Sequence, residues 1–121
     1  NERDVEVKHF IGDVKGKRCL IVDDLTESAG TLIEAAQACK DHGAAETFVA
    51  VSHGCFNGPI AFPRLTKAFD DGIITKFLVS NTVSFSVPEG IKVETVDVSG
   101  VFANAILNIN KNESVSELFS V

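Results

Sequence analysis

The sequence lacks a long apolar run, an excess of positive charge and a pair of closely spaced cysteines. No run approaches the 18 or more apolar residues of a membrane span, and residues 1–4 are too polar to open a signal peptide. The 17 acidic residues outnumber the 11 basic ones, so the net charge is −6 and no uniform basic face is available to nucleic acid. We therefore expect neither a membrane nor a nucleic acid among the partners.

The cysteine content indicates the cellular compartment, and the absence of a linker indicates the number of domains. The three cysteines, Cys19, Cys39 and Cys55, are odd in number and show no CxxC spacing, which favours reduced thiols and a cytoplasmic location. No stretch rich in proline, glycine and serine divides the 121 residues, so we expect one domain over residues 1–121. Because the first residue is not methionine, we also expect a piece of a longer chain.

Apolar patterning predicts an α/β fold, namely a doubly wound parallel sheet flanked by helices. The predicted strands are the apolar runs at residues 19–22, 48–51, 77–79 and 93–98. Apolar residues with helical spacing predict helices around residues 32–39, 62–69 and 102–109. Gly43 and Gly72 are typical helix-ending residues. Alternation over residues 5–11 predicts an added edge strand, and residues 113–121 are interpreted as a turn followed by a strand or a helix.

The segment after the first predicted strand is the strongest candidate for a ligand site. Asp23 and Asp24 follow the strand, and small and hydroxyl residues then lead into a helix. Ala29 and Gly30 let a ligand approach the backbone, and the first free N–H groups of the helix can bind a phosphate. Two carboxylates would repel that phosphate unless they face hydroxyl groups or a cation, so the pattern predicts a sugar phosphate, a divalent metal, or both.

Two other interpretations use the same residues. Asp23 and Asp24 could be a solvated strand end, with Ser28 serving only as a helix N-cap. The segment could also belong to an aspartyl-phosphate receiver domain of two-component signalling. That class requires a phosphoacceptor Asp at the end of a later strand, whereas Asp70 and Asp71 precede the next apolar run, and the last clear strand carries no Lys at its end.

The residues from Asp23 to Thr31 resemble the phosphoribosyl motif shared by type I phosphoribosyltransferases and ribose-phosphate diphosphokinases. Further segments narrow the resemblance to the carboxyl half of the diphosphokinases, which they match in order over nearly the whole chain. These segments are residues 12–17, His53-Gly54 with Gly58-Pro59, Ser80-Asn81-Thr82, and residues 112–120.

The resemblance implies transfer of diphosphate from Mg-ATP to the 1-hydroxyl of ribose 5-phosphate, with Mg²⁺ as cofactor and a homo-oligomer as the assembly. It assigns the two carboxylates to the ribose 2- and 3-hydroxyls and the following loop to the 5-phosphate. Ser114 and Ser116 match positions of a regulatory phosphate site. The complete set implied to bind ribose 5-phosphate is Asp23, Asp24, Thr26, Glu27, Ser28, Ala29, Gly30 and Thr31.

The sequence departs from the diphosphokinase pattern in two ways. Thr26 stands where the family more often has an apolar or small residue, and Glu27 stands where it usually has Asp. In addition, the family's diphosphate loop, its catalytic Lys and Arg, and its ATP-binding domain would lie before Asn1. We therefore expect no catalytic residue in this chain and no activity of the isolated 121 residues. A noncatalytic, synthetase-associated regulatory subunit remains the alternative.

Overall fold

The structure is a computed structural model that describes residues 10–119, with four strands and four helical segments in this part of the chain. In chain order they are β1 Arg18–Thr26, α1 Gly30–Asp41, β2 Glu46–Gly54, α2 Gly58–Asp70, β3 Lys76–Ser80, β4 Val93–Val96, α3 Ser99–Asn110 and the 3₁₀ helix η1 Ser116–Phe119. None of the helices within residues 10–119 has the length and apolar character needed to cross a membrane.

The strands form a parallel sheet in the order β1-β2-β3-β4, and one face of it builds the core. Alternate strand residues point to opposite faces, so Val49, Val51, Phe77 and Val79 all lie on the buried face. The helices α1 and α2 cover that face with their apolar stripes, and Leu65 of α2 is fully buried there. This packing holds the amino ends of α1 and α2 beside the carboxyl ends of the strands.

The predicted α/β fold, with a parallel sheet and flanking helices, is confirmed. The sheet differs from a doubly wound sheet in one respect. Its described strands lie side by side in chain order, without the reversal of strand order that double winding produces. A reversal would require a further strand beside β1, which is an edge of the sheet formed by residues 10–119.

Several predicted boundaries change. The predicted end of the first strand at Val22 is wrong, because β1 continues to Thr26 by pairing with β2 as far as Gly54. Both predicted helix-ending glycines are confirmed by their left-handed backbone, with φ of 86° at Gly43 and 68° at Gly72. The carboxyl-terminal segment ends in a helix rather than a strand. Residues 5–9 of the predicted edge strand lie outside the described residues.

The opposite face of the sheet and the helix α3 remain exposed in the described part of the chain. The side chains of Leu20 and Val22 on β1 are 62% and 71% exposed. On α3, Phe102, Ile106 and Ile109 are also more than half exposed, and none of the residues of this helix is buried. These surfaces are therefore available to further protein.

Candidate functional site

The segment between β1 and α1 presents open backbone N–H groups at the start of a helix. Ala29, the N-cap residue, has φ of 60°, a left-handed conformation that costs free energy in a residue with a Cβ. The N-cap residue makes no side-chain hydrogen bond, and the first turn of α1 contains no acidic residue. The helical ladder starts with the Ile33 N–H, which donates to the Ala29 carbonyl at 3.0 Å. The Gly30 N–H donates to Ser28 Oγ at 3.4 Å, which leaves the amides of Thr31 and Leu32 without an acceptor within the helix.

These amides border a cavity of about 240 Å³ at the carboxyl end of β1. It contains seven of the eight residues predicted to bind ribose 5-phosphate, Asp24 being the exception. The nine lining residues are Asp23, Leu25, Thr26, Glu27, Ser28, Ala29, Gly30, Thr31 and Leu32. The cavity thus has carboxylates at one side, a helix N-terminus at the other, and neither Lys nor Arg among its lining residues.

The two carboxylates occupy different positions at the end of β1. Asp23 lines the cavity, whereas Asp24, the next residue, is exposed and is not among the lining residues. Asp23 Oδ1 accepts the Asp24 N–H at 2.9 Å, and Asp24 Oδ1 accepts the Leu25 N–H at 2.7 Å. These bonds orient both carboxylates, and the described residues leave the second oxygen of each for other hydrogen bonds.

The two departures from the family pattern have different surroundings. Thr26 is only 6% exposed at the last position of β1, so its small side chain is part of the packed strand end. Glu27 is exposed, and its backbone carbonyl accepts the N–H of Asn57, the N-cap residue of α2, at 2.8 Å. This bond joins the loop between β1 and α1 to the amino end of α2.

The adjacent strands contribute a hydrogen-bonded network at the same edge of the sheet. The Thr82 hydroxyl donates to the Ser52 carbonyl at 2.9 Å, and the Asn81 side-chain amide donates to Asp97 Oδ1 at 2.9 Å. Asp97 also accepts a hydrogen bond from the Ser99 N–H. Hydrogen bonds from Ser99 and then from Asn81 lower the pKa of Asp97, so this carboxylate stays ionised. The network holds the carboxyl ends of β2, β3 and β4 in a fixed relation to one another.

The two serines of the predicted regulatory site lie elsewhere. Ser114 and Ser116 follow α3, where the Ser114 hydroxyl accepts the Ser116 N–H at 3.1 Å and the Ser114 carbonyl accepts from Asn108. The helix α3 starts beside the carboxyl end of β4 and extends over 12 residues, or about 18 Å at 1.5 Å per residue. The serines are thus separated from the strand ends by the length of this helix.

One residue near the loop was missed by the sequence interpretation. The guanidinium Nη1 of Arg64, on α2, lies 3.2 Å from the position that a Cβ would take on Gly30. Arg64 is separated from Gly30 by 34 residues and belongs to no motif, so no signal in the sequence connects them. Only the packing of α2 against α1 brings the two together.

The oxygen donors of the site fit Mg²⁺, although residues 10–119 contain no cluster of three or more potential metal ligands. Mg²⁺ in phosphate-binding enzymes is commonly held by one or two carboxylates together with substrate phosphates and water. Asp23 and Asp24 supply such carboxylates. They could therefore hold Mg²⁺ together with a bound substrate, but not as a complete protein cage.

Comparison with known proteins supports one family over almost all of the chain. Residues 5–120 match the family model described as phosphoribosyl synthetase-associated domain. The chain is 42% identical over 118 residues to a ribose-phosphate pyrophosphokinase of Caldanaerobacter subterraneus, with 95% of this chain and 35% of the relative covered. It is 38% identical over 114 residues to ribose-phosphate pyrophosphokinase 2 of Schizosaccharomyces pombe, with 93% and 34% covered.

The fold comparison agrees. A crystal structure of phosphoribosylpyrophosphate synthetase from Mycobacterium smegmatis superposes with a TM-score of 0.71 and 26% sequence identity. The match covers 84% of this chain and 33% of that one. The chain thus spans about a third of the length of the proteins it matches.

Proposed function

The chain belongs to the phosphoribosyl synthetase-associated domain family, and we propose that it supplies the ribose 5-phosphate subsite of a ribose-phosphate diphosphokinase. The observation that carries this proposal is the cavity of about 240 Å³ that joins Asp23 to the first turn of α1. A sugar phosphate has hydroxyl groups for a carboxylate and an anionic group for helix N–H groups. The receiver-domain interpretation is set aside, because the chain belongs to this other family.

In the proposed reaction the 1-hydroxyl oxygen of ribose 5-phosphate attacks the β-phosphorus of ATP. The bond between that phosphorus and the oxygen of the α-phosphate breaks, AMP leaves with the bond electrons, and the proton of the 1-hydroxyl is released to solvent. Bound Mg²⁺ would neutralise part of the charge on the transferred diphosphate. The contribution of this chain is to orient the attacking hydroxyl, because a fixed sugar replaces a bimolecular encounter by a positioned one.

Each part of the site has a defined task in this proposal. Asp23 and Asp24 accept hydrogen bonds from the 2- and 3-hydroxyls, and the amides of Gly30 and Thr31 hold the 5-phosphate at the positive end of α1. The remaining members, Thr26 to Ala29, shape the loop. The ATP site and the catalytic basic residues belong to the part of the relatives that this chain does not match.

The proposal extends to assembly and regulation. We place residues 1–121 as one domain equivalent to the carboxyl-terminal domain of the relatives, acting in a cytoplasmic homo-oligomer. The exposed side chains of Val22 and Ile106 support contact with further protein surface. Ser114 and Ser116, separated from the sugar site by the length of α3, are suited to a regulatory phosphate rather than to the substrate.

The test is turnover by the full-length protein with Mg-ATP and ribose 5-phosphate, measured as AMP formation, together with calorimetric binding of ribose 5-phosphate. Hydrogen bonds to charged groups contribute about 1.5–3 kcal/mol, so Asp23→Asn and Asp24→Asn should each lower kcat/KM for ribose 5-phosphate by about tenfold to a hundredfold. Asp70→Asn is the matched control, because Asp70 is an exposed carboxylate at the end of α2. It should leave kcat/KM unchanged.

The possible outcomes separate the hypotheses. Binding of ribose 5-phosphate without turnover would favour the noncatalytic regulatory subunit. Absence of binding by folded wild-type protein would contradict the subsite itself. Wild-type kinetics in both Asp variants would show that neither carboxylate holds the sugar.

A further inference from the structure

We infer that Cys19 and Cys39 are a site of reversible disulfide formation, which ties the start of β1 to the last turn of α1. All three cysteines of the chain are free thiols in this structure, and the proposed function uses none of them. Cys19 is partly buried, Cys39 is buried and Cys55 is exposed. The inference goes beyond the proposed function, because it concerns the end of the β1–α1 unit that lies away from the sugar site.

Both cysteines of the pair face the space between the sheet and α1. Along β1 the partly buried Cys19 and Ile21 alternate with exposed residues, and Ile21 packs against the core that the helices cover. On α1, Cys39 lies on the same buried stripe as Leu32 and Ala36. The two thiols therefore extend into the same layer of the molecule from opposite sides.

Backbone hydrogen bonds bring the end of α1 next to the start of β1. The Ala44 N–H donates to the Cys39 carbonyl at 2.9 Å, and the Ala45 N–H donates to the Lys17 carbonyl at 2.8 Å. Lys17 lies just before β1, two positions from Cys19. The turn after α1 thus holds the two cysteines at the same end of the sheet.

The side chains of the two cysteines interact directly. Burial raises the pKa of the Cys39 thiol, and Cys19 raises it further, through its charge and through a hydrogen bond between the two side chains. Cys39 therefore stays a thiol, and the pair stays reduced until an oxidant acts on it. The third cysteine, Cys55, follows the carboxyl end of β2 at the opposite end of the sheet.

The oxidant that this chemistry requires is a small-molecule disulfide such as oxidised glutathione. The Cys19 sulfur, the more accessible of the two, attacks one sulfur of that disulfide as a thiolate, and one thiolate leaves with the bond electrons. The Cys39 thiolate then attacks the Cys19 sulfur of the mixed disulfide, and a second thiolate leaves. The protein pair is oxidised by two electrons, and its two protons end on the two small-molecule thiols.

The disulfide closes a ring over residues 19–39, which contains most of β1, the loop after it and most of α1. A crosslink of this kind restricts the unfolded chain and opposes separation of the two ends of the ring. Along α1, Cys39 lies about 14 Å from Gly30 at 1.5 Å per residue. The bond therefore stabilises the base of the β1–α1 unit rather than acting at the sugar site.

The experiment treats the folded full-length protein with oxidised glutathione, alkylates the remaining thiols in denaturant with iodoacetamide, and digests the product with trypsin. Cleavage after Arg18 and Lys40 releases residues 19–40 as one peptide with both cysteines of the pair, and cleavage after Arg64 places Cys55 in the next peptide. We expect peptide 19–40 to be lighter by about 2 Da and free of alkyl groups. Dithiothreitol should restore both thiols.

Three variants are the matched controls. In Cys39→Ala, Cys19 should keep glutathione as a mixed disulfide, because no second thiol displaces it. In Cys19→Ala, the buried Cys39 should remain unmodified until the protein is denatured. Cys55→Ala keeps the pair and should form the disulfide as wild type does.

Hydrogen exchange tests the effect of the bond on the fold. Oxidation of the wild type should slow exchange of the α1 amides by about tenfold or more, because opening of this unit must then proceed within a closed ring. The same treatment of Cys39→Ala should leave these rates unchanged.

The inference is overturned if peptide 19–40 of the oxidised wild type still takes up two alkyl groups, if Cys19 carries glutathione while Cys39 remains a thiol, or if either cysteine pairs outside this peptide. Failure of dithiothreitol to restore the thiols would overturn reversibility, and unchanged exchange of α1 in the crosslinked protein would overturn the stabilising role. None of these results depends on ribose 5-phosphate, so the proposed function is tested separately.

Discussion

Substitution of Gly30 by Ala should separate the stability of the fold from the affinity for ribose 5-phosphate. Gly30 is the first residue of α1, and its φ lies outside the left-handed region, so Ala is compatible with the backbone. Replacing Gly by Ala in a helix interior stabilises by about 0.5–1 kcal/mol, and a first-turn position should gain at the lower end of this range.

The new methyl group would meet only atoms that can move. Its nearest neighbours are Arg64 Nη1 at 3.2 Å and Ser28 Oγ at 3.5 Å. The guanidinium is the far end of a flexible side chain, so it can rotate away at little cost in stability. The free energy of unfolding should therefore stay the same or rise by up to about 0.5 kcal/mol. KM for ribose 5-phosphate should rise about threefold to tenfold, equivalent to about one lost hydrogen bond, because the methyl group takes space beside the backbone that the phosphate approaches.

The assay combines urea unfolding of each variant with steady-state kinetics of the full-length protein. Gly100→Ala is the control, since Gly100 is the second residue of α3 and no atom lies within 4 Å of its added Cβ. It should gain helix stability without any change in KM.

Two results would refute this reasoning. If Gly30→Ala is as stable as wild type and keeps the wild-type KM, the phosphate does not approach the backbone at Gly30. If Gly100→Ala raises KM equally, the effect does not come from the start of α1.

The remaining predictions concern stability. Gly54→Ala should destabilise by about 1–3 kcal/mol in urea unfolding, since its Cβ would lie 2.8 Å from Val79 Cγ2 in the packed core; an unchanged midpoint would contradict this packing. The pKa of Asp97 is lowered by Ser99 and then Asn81. The stabilisation that ionised Asp97 gives the fold is therefore fully present above the ordinary Asp pKa. It is lost as the pH falls through the lower pKa of Asp97 in the folded protein. In the Asp97→Asn variant, the free energy of unfolding should fall less steeply than in wild type as the pH is lowered. The same steepness in both proteins would refute this role of Asp97.

The α/β class and most elements could be predicted from local patterns. Apolar runs and helical spacing depend on residues close in sequence, which is why α1 and its terminal Gly43 were predicted well. The end of β1 cannot be predicted from local patterns, because Asp23 and Asp24 are poor strand formers. Their strand conformation comes from pairing with β2, a partner more than 20 residues away.

Within the candidate site, the sequence alone determined which functional groups are present: two carboxylates followed by a small-residue loop and a helix, a pattern that predicts a sugar phosphate, a divalent metal, or both. The resemblance to the diphosphokinases rests on these same residues and on ordered segments elsewhere in the chain. Only the tertiary structure decided that Asp23 lines the cavity, that Asp24 is not among its lining residues, and that the Arg64 guanidinium lies beside Gly30. Residue identity sets what a group can bind, whereas the alternation of a strand and the packing of two helices set which groups can act together.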